Sequence, residues 1–178
     1  LFSFNSPFGA CPRCTGLGSQ LEVDPELVIP NQNLTLAEGA IQPWMRITGN
    51  QNWYLQLLQA VAQAHGFSMD VPVELLSAKI VEKLLYGTGP TIYTVEGKEV
   101  AFDGVIRNLE KRHQETNSDY VRKEIEEYMV ERTCPQCQGQ RLNNQALAVV
   151  LAKTNIAEVA TMTIEEAAAF LNDLKNRK

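Results

Sequence analysis

The chain has 178 residues, 44% apolar and 21% charged, with a net charge of -5, which suits a soluble globular protein of one domain or two small ones. No apolar run approaches the roughly 18 residues of a membrane-spanning helix, so a membrane span is excluded. The acidic balance gives no global support for nucleic-acid binding, and any basic surface must be local.

In chain order, Leu1 to Ala10 alternates aromatic with small polar residues, as an extended segment with one buried face does, and turns at Ser6-Pro7. Its three phenylalanines call for a cover, and packing in a core accounts for them better than base stacking. Asp24-Pro25-Glu26-Leu27 predicts an N-cap, a proline at the first helical position and a short helical turn. Residues 31–50 look mostly irregular. From Gln51 to His65 the spacing of Tyr54, Leu57, Leu58 and Val61 predicts a core-facing helix stopped at Gly66. Ser77 opens a second helix to about Tyr86, with Ile80, Val81, Leu84 and Leu85 as its apolar stripe. Trp44 and Trp53 are expected as core or rim anchors for these helices.

Thr91 to Val95 and Lys98 to Phe102 flank Glu96-Gly97 and predict a β-hairpin. Two helical stretches follow, Val105 to about Glu115 and Ser118 to about Glu131, arranged as an αα-hairpin. Ala146 to Ala152 has the composition of a buried strand. Thr163-x-x-Glu166 is a capping box that opens a final helix through Ala167, Phe170, Leu171 and Leu174. The chain stops at Asn176-Arg177-Lys178 without a turn signal, as a piece of a longer protein would.

All four cysteines lie in two near-copies of one motif, Cys11-Pro12-Arg13-Cys14-Thr15-Gly16 and Cys134-Pro135-Gln136-Cys137-Gln138-Gly139. A thiolate pair two residues apart grips a metal from a tight turn, and two such turns complete a tetrahedral Cys₄ shell. The expected ligands of one structural zinc are therefore Cys11, Cys14, Cys134 and Cys137. Two disulfides or a thioredoxin-like redox pair are the alternatives. The chain shows no secretory signal, and each pair sits among Pro, Gly and polar residues rather than after a buried strand. Thr15 to Thr133 separate the knuckles, so this stretch must fold for itself. The fold expected is α+β: a Cys₄ module, residues 1–20 and 132–145, interrupted by a mostly helical insertion domain with a β-hairpin, residues 21–131. A strand and helix of a parent domain, residues 146–178, come last.

No phosphate-cradling Gly-x-x-x-x-Gly-Lys-Ser/Thr loop is present, and neither histidine belongs to a readable catalytic set. The fragment is expected not to be an enzyme alone. Arg107, Lys111, Arg112, Arg122 and Lys123 form the one positive cluster, with Arg107 and Lys111 one helical turn apart. Because glutamates are interleaved among them, composition alone favours a solvated mixed-charge face over a DNA-binding one.

Leu1-Phe2-Ser3-Phe4-Asn5-Ser6-Pro7 followed by Cys11 to Gly18 closely resembles a zinc-binding region of the UvrA family, the damage-sensing ATPases of bacterial nucleotide excision repair. Leu85-Tyr86-Gly87-Thr88-Gly89, Phe102-Asp103-Gly104-Val105, Cys134 to Leu142 and Met162 to Ala167 resemble later landmarks in the same order. The resemblance implies that the four cysteines bind zinc and that the insertion domain lies beside a DNA-binding surface. It makes residues 146–178 part of a signature domain. It implies DNA as a partner, weakly bound in isolation, with self-dimerisation, UvrB binding and ATP belonging to the parent protein, and a cytoplasmic location. A zinc-stapled protein-interaction module without DNA contact stays open beside this reading.

Overall fold

The computed structural model describes residues 1–46 and 51–176. The fold is α+β and divides into two compact units, residues 21–130 and residues 1–20 with 131–178. Among the described residues no helix is long and apolar enough to cross a membrane.

Strand β1 (Ser19–Val23) was not foreseen. Helix α1 (Pro25–Val28) starts as expected, the Asp24 side chain accepting from the Glu26 N–H. The supposedly irregular segment contains a helix, α2 (Gln42–Arg46), with Pro43 and Trp44 buried; residues 47–50 lie outside the described residues. Trp44 stacks on Tyr54 at 4.5 Å between ring centroids and meets Phe102 edge-on at 6.1 Å. That aromatic contact explains why so short a helix is ordered.

Helix α3 (Gln51–His65) buries Leu57, Leu58, Val61 and Ala62. Helix α4 (Ala78–Tyr86) buries Leu84 and Leu85. Strands β2 (Ile92–Val95) and β3 (Lys98–Ala101) pair antiparallel, Val95 opposite Lys98, across a Glu96-Gly97 turn with φ of +50° and +76°. Such left-handed pairs suit two-residue hairpins. Helix α5 (Val105–Glu115) turns Val105, Ile106 and Leu109 inward, and helix α6 (Asp119–Glu126) buries Ile125 under an Ser118 cap. All these buried side chains join one core.

Two backbone segments touch inside this unit. Gly87 (φ +98°, ψ 171°) and Gly104 (φ +85°, ψ 162°) both occupy a region open only to glycine. A Cβ on Gly104 would overlap the Gly87 nitrogen and lie 2.6 Å from the Leu85 carbonyl oxygen.

A polar triad closes the same unit. The His65 ring receives Lys83 Nζ at Nδ1, 3.0 Å away, so its Nε2–H donates to the Tyr93 hydroxyl at 2.7 Å. Burial, and then the Lys83 charge, hold His65 below its usual value. Unfolded His65 therefore takes up a proton at a higher pH than folded His65. Its contribution to stability is complete above about pH 6.5 and is lost as pH falls below that value. Thermal melts of the wild type are expected to lose more between pH 7 and 5 than those of His65→Gln; equal losses would contradict the assignment.

The second helix of the αα-hairpin ends five residues earlier than expected, because Met129–Thr133 forms strand β4, paired with β1. Ladder hydrogen bonds to β1 displace the helical continuation that the spacing of Tyr128 and Met129 suggests.

In the other unit the expected strand at Ala146 to Ala152 is replaced. Asn143 caps a short helix, α7 (Asn144–Leu147), by accepting from Ala146 N. Strands β5 (Val150–Leu151) and β6 (Thr154–Asn155) then form a small exposed hairpin, turning on Ala152 and Lys153 at φ +51° and +72°. Helix α8 (Ile156–Ala160) opens with an Asn155–Glu158 capping box. Helix α9 (Ile164–Asn176) opens as expected: Thr163 N donates to Glu166 Oε2 at 2.8 Å, and Glu166 N to Thr163 Oγ1 at 3.2 Å. Arg177 and Lys178 lie outside the described residues.

Leu1 to Ala10 is a series of turns rather than a half-buried strand, and Phe2, Phe4 and Phe8 are exposed. Phe2 borders an apolar groove with Val149, Leu151, Ile156, Phe170 and Leu171.

Candidate metal centre and nucleic-acid interface

Each knuckle is a tight turn whose last residues adopt left-handed backbone, and the two match closely in the φ values of those residues. Thr15 and Gly16 have φ of +50° and +85°; Gln138 and Gly139 have +49° and +83°. Leu17 N donates to Cys14 O, and Gln140 N to Cys137 O, both at 2.9 Å. Four residues after the second cysteine of each knuckle a backbone N–H faces its sulfur: Gly18 for Cys14, at 3.2 Å, and Arg141 for Cys137. The carbonyl of that same residue reaches across to the other knuckle, Gly18 O accepting from Cys134 N and Arg141 O from Cys11 N, each at 2.9 Å. The result is a pseudo-twofold pair of turns locked by two crossed hydrogen bonds.

The geometry of the sulfurs follows. All four lie within 4.8 Å of one another; Cys11 Sγ is 4.0 Å from Cys134 Sγ, and Cys14 Sγ is 3.6 Å from Cys137 Sγ. A tetrahedron with metal–sulfur bonds of roughly 2.3 Å has edges of about 3.8 Å. A disulfide would hold its sulfurs at about 2.05 Å, and the four cysteines are free. They are also almost wholly enclosed, at 0 to 3% exposure. Four such thiols in one compact group could hold a metal ion.

Their acidities agree with that chemistry. Burial pushes the Cys14 thiol up, but the donors from Gly18, Gly16 and the neighbouring thiols outweigh it and bring the value down to about 7. Cys137 is pushed up to about 12 by burial and by the other sulfurs around it, in spite of the Arg141 N–H. Cys14 thus gives up its proton readily while Cys137 holds its own, burial being the chief obstacle to a second thiolate. A divalent cation removes that obstacle.

The cationic residues fall into two groups. Arg107 and Lys111 are exposed on one side of α5, opposite its buried Val105–Ile106–Leu109 face, and Lys123 is exposed on α6. Arg112 and Arg122 are half-buried. Arg122 Nη2 donates to the Thr116 carbonyl at 2.8 Å, and Nη1 lies 3.8 Å from Asp119 Oδ1, which ties it to the turn between the helices. Arg112 Nη1 is enclosed without a hydrogen-bond partner. Glu110, on α5, is raised above the usual carboxylate range by burial and by Glu22, with Arg107 pulling the other way. His113 Nε2 lies 3.0 Å from Glu126 Oε1, joining α5 to α6.

The backbone donors to sulfur and the side chain of Arg141 escaped the reading of the sequence. Their only signal is their shared position, four residues after Cys14 and Cys137.

A family model described as the UvrA DNA-binding domain matches residues 24–127, more than half of the chain. The chain belongs to the UvrA family. It is 45% identical over 183 aligned residues to the UvrABC system protein A of Bacillus subtilis, covering 98% of the chain and 19% of that protein. To the UvrABC system protein A of Halalkalibacterium halodurans it is 46% identical over 187 aligned residues, covering 100% of the chain and 19% of the relative. The crystal structure of UvrA2 from Deinococcus radiodurans resembles it with a TM-score of 0.75 at 26% identity, over 96% of this chain and 23% of that one. The chain thus spans about a fifth of the length of the curated UvrA relatives it matches.

Proposed function

We propose that this chain is the zinc-stapled, DNA-contacting region of a longer UvrA subunit acting in nucleotide excision repair. The observation that carries the reading is the coincidence of the UvrA DNA-binding family match over residues 24–127 with Arg107 and Lys111, exposed one helical turn apart inside that span. Cys11, Cys14, Cys134 and Cys137 hold one structural zinc, for which four buried thiols at tetrahedral spacing are a suitable donor set. Residues 21–131 act as the insertion domain, and residues 146–178 as part of a signature domain whose apolar groove suits a place in a larger assembly.

In this reading Arg107, Lys111 and Lys123 contact phosphates, Arg122 contributes through the α5–α6 turn that it braces, and Arg112, half-buried on α5, adds its positive charge beside them. Phosphate contacts hold a duplex in register without reading its sequence, as recognition of many different lesions requires. ATP turnover, self-dimerisation and UvrB loading belong to the longer subunit, in the cytoplasm. With a net charge of -5 the isolated chain binds DNA weakly.

Neutralising Arg107 and Lys111 together, as Gln, in the full-length subunit is expected to lower DNA affinity and to flatten its salt dependence by up to about two phosphate contacts. Fluorescence anisotropy across a salt series checks this. Wild-type affinity and slope in a folded, metal-replete double variant would leave a structural, protein-interaction role as the better account.

A further inference from the structure

The two knuckles match in the φ values of their closing turns and in the backbone N–H that each aims at its second sulfur. Gly18 and Arg141 occupy the same place and the same left-handed backbone, at φ +87° and +68°. Glycine meets that geometry without strain, whereas arginine does not. The Arg141 side chain offers a reason for its presence. Its Nε donates to the Gly16 carbonyl at 2.7 Å, and its guanidinium carbon sits 3.7 Å above the centre of the Phe4 ring. Its Cγ fills the space beside Gly18, where a Cβ would come within 2.9 Å. Every one of these partners belongs to the first knuckle or to the segment leading into it.

We infer that Arg141 is a positioning residue that clamps the second knuckle onto the first and holds the four sulfurs in their metal-binding arrangement. The inference rests on the metal reading of the cysteines. The clamp is separate from the backbone of the knuckle. The Arg141 N–H that faces Cys137 and the Arg141 carbonyl that accepts from Cys11 would both survive replacement by glycine, which also removes the backbone strain. Arg141→Gly therefore deletes the side-chain contacts while leaving both backbone hydrogen bonds in place. Groups that orient a metal shell in this way act through the rate and affinity of metal binding rather than through the identity of the ligands.

The test uses the whole chain loaded with cobalt(II), whose absorption reports a tetrathiolate shell. Arg141→Gly is expected to keep that spectrum and to lose cobalt to a chelator about 10-fold faster than wild type. Arg141→Lys, which retains a cation over Phe4 without the planar donor, should fall between them. Phe4→Leu, which leaves both knuckle backbones untouched, should release metal about 2- to 5-fold faster, and it carries the test should the glycine variant fail to fold. Loss rates for Arg141→Gly, or for Phe4→Leu in its place, equal to wild type would overturn the clamp while leaving the metal site standing. A wild-type chain that gives no tetrathiolate spectrum would overturn the metal reading, and the clamp with it.

Discussion

Cys134→Ser is expected to abolish stable metal binding and to unfold the knuckles while the unit of residues 21–130 stays folded. Cys134 is fully enclosed, its sulfur lies 4.0 Å from that of Cys11, and its N–H holds the Gly18 carbonyl. Replacing the sulfur leaves three thiols that repel when ionised and a weak oxygen donor in their midst. The knuckle region has little other enclosure to fall back on: its buried side chains are chiefly the cysteines themselves, and the phenylalanines ahead of it are exposed. Structural zinc sites contribute an apparent ~10–16 kcal/mol to small metal-dependent folds, so the loss is decisive locally. The core around Val61, Leu84, Leu109 and Ile125, all at 0% exposure, contains no cysteine. Hydrogen exchange should show amides 11–18 and 134–141 losing protection and those of α3 and α5 keeping it. Unchanged protection at the knuckles would mean that metal is not what orders them.

The second large effect concerns Gly104. Gly104→Ala forces a side chain into a backbone region that L residues avoid, at a cost of about 1–3 kcal/mol. It also drives the new Cβ against the backbone of Leu85 to Gly87, and overpacking adds about 1–3 kcal/mol more. Backbone cannot swing aside as a flexible side chain does. The melting temperature of this unit is expected to fall by roughly 10 °C or more. Gly97→Ala is the control. Gly97 shares a positive φ of +76° but has open space around it, so only the conformational cost of about 1 kcal/mol applies. Similar losses for both variants would show that the Gly87–Gly104 contact carries no special load.

Features encoded by a few neighbouring residues were legible in the sequence. The Asp24-Pro25 cap, the Glu96-Gly97 hairpin, the stripes of α3 and α4, and the Thr163–Glu166 box each rest on side chains at most a few turns apart. The gathering of the four cysteines was legible for another reason. Two copies of one chelating turn predict each other whatever lies between them. Features set by distant partners were not legible. Strand β4 is polar apart from Met129 and Val130, and it becomes a strand because β1, over 100 residues earlier, offers it a ladder. The Ala146 to Ala152 run was misread because its turn uses Ala152 and Lys153 at positive φ, where glycine or asparagine would have announced a hairpin. Helix α8 and the Asn143 cap of α7 carry local signals that the expected elements left out, since Asn155-x-x-Glu158 is as good a capping box as the one at Thr163. At the cationic surface the sequence could group Arg107, Lys111, Arg112, Arg122 and Lys123. Only the packing of α5 on α6 separated the exposed Arg107, Lys111 and Lys123 from the half-buried pair.

X-ray absorption at the zinc edge, on protein purified without added metal and matched to its zinc content and free-thiol count, tests the metal centre most directly. The expected result is one zinc per chain surrounded by four sulfurs at roughly 2.3 Å. Fewer than four sulfur neighbours, or a metal-free chain whose cysteines are paired as disulfides, would contradict a single site shared by the two knuckles.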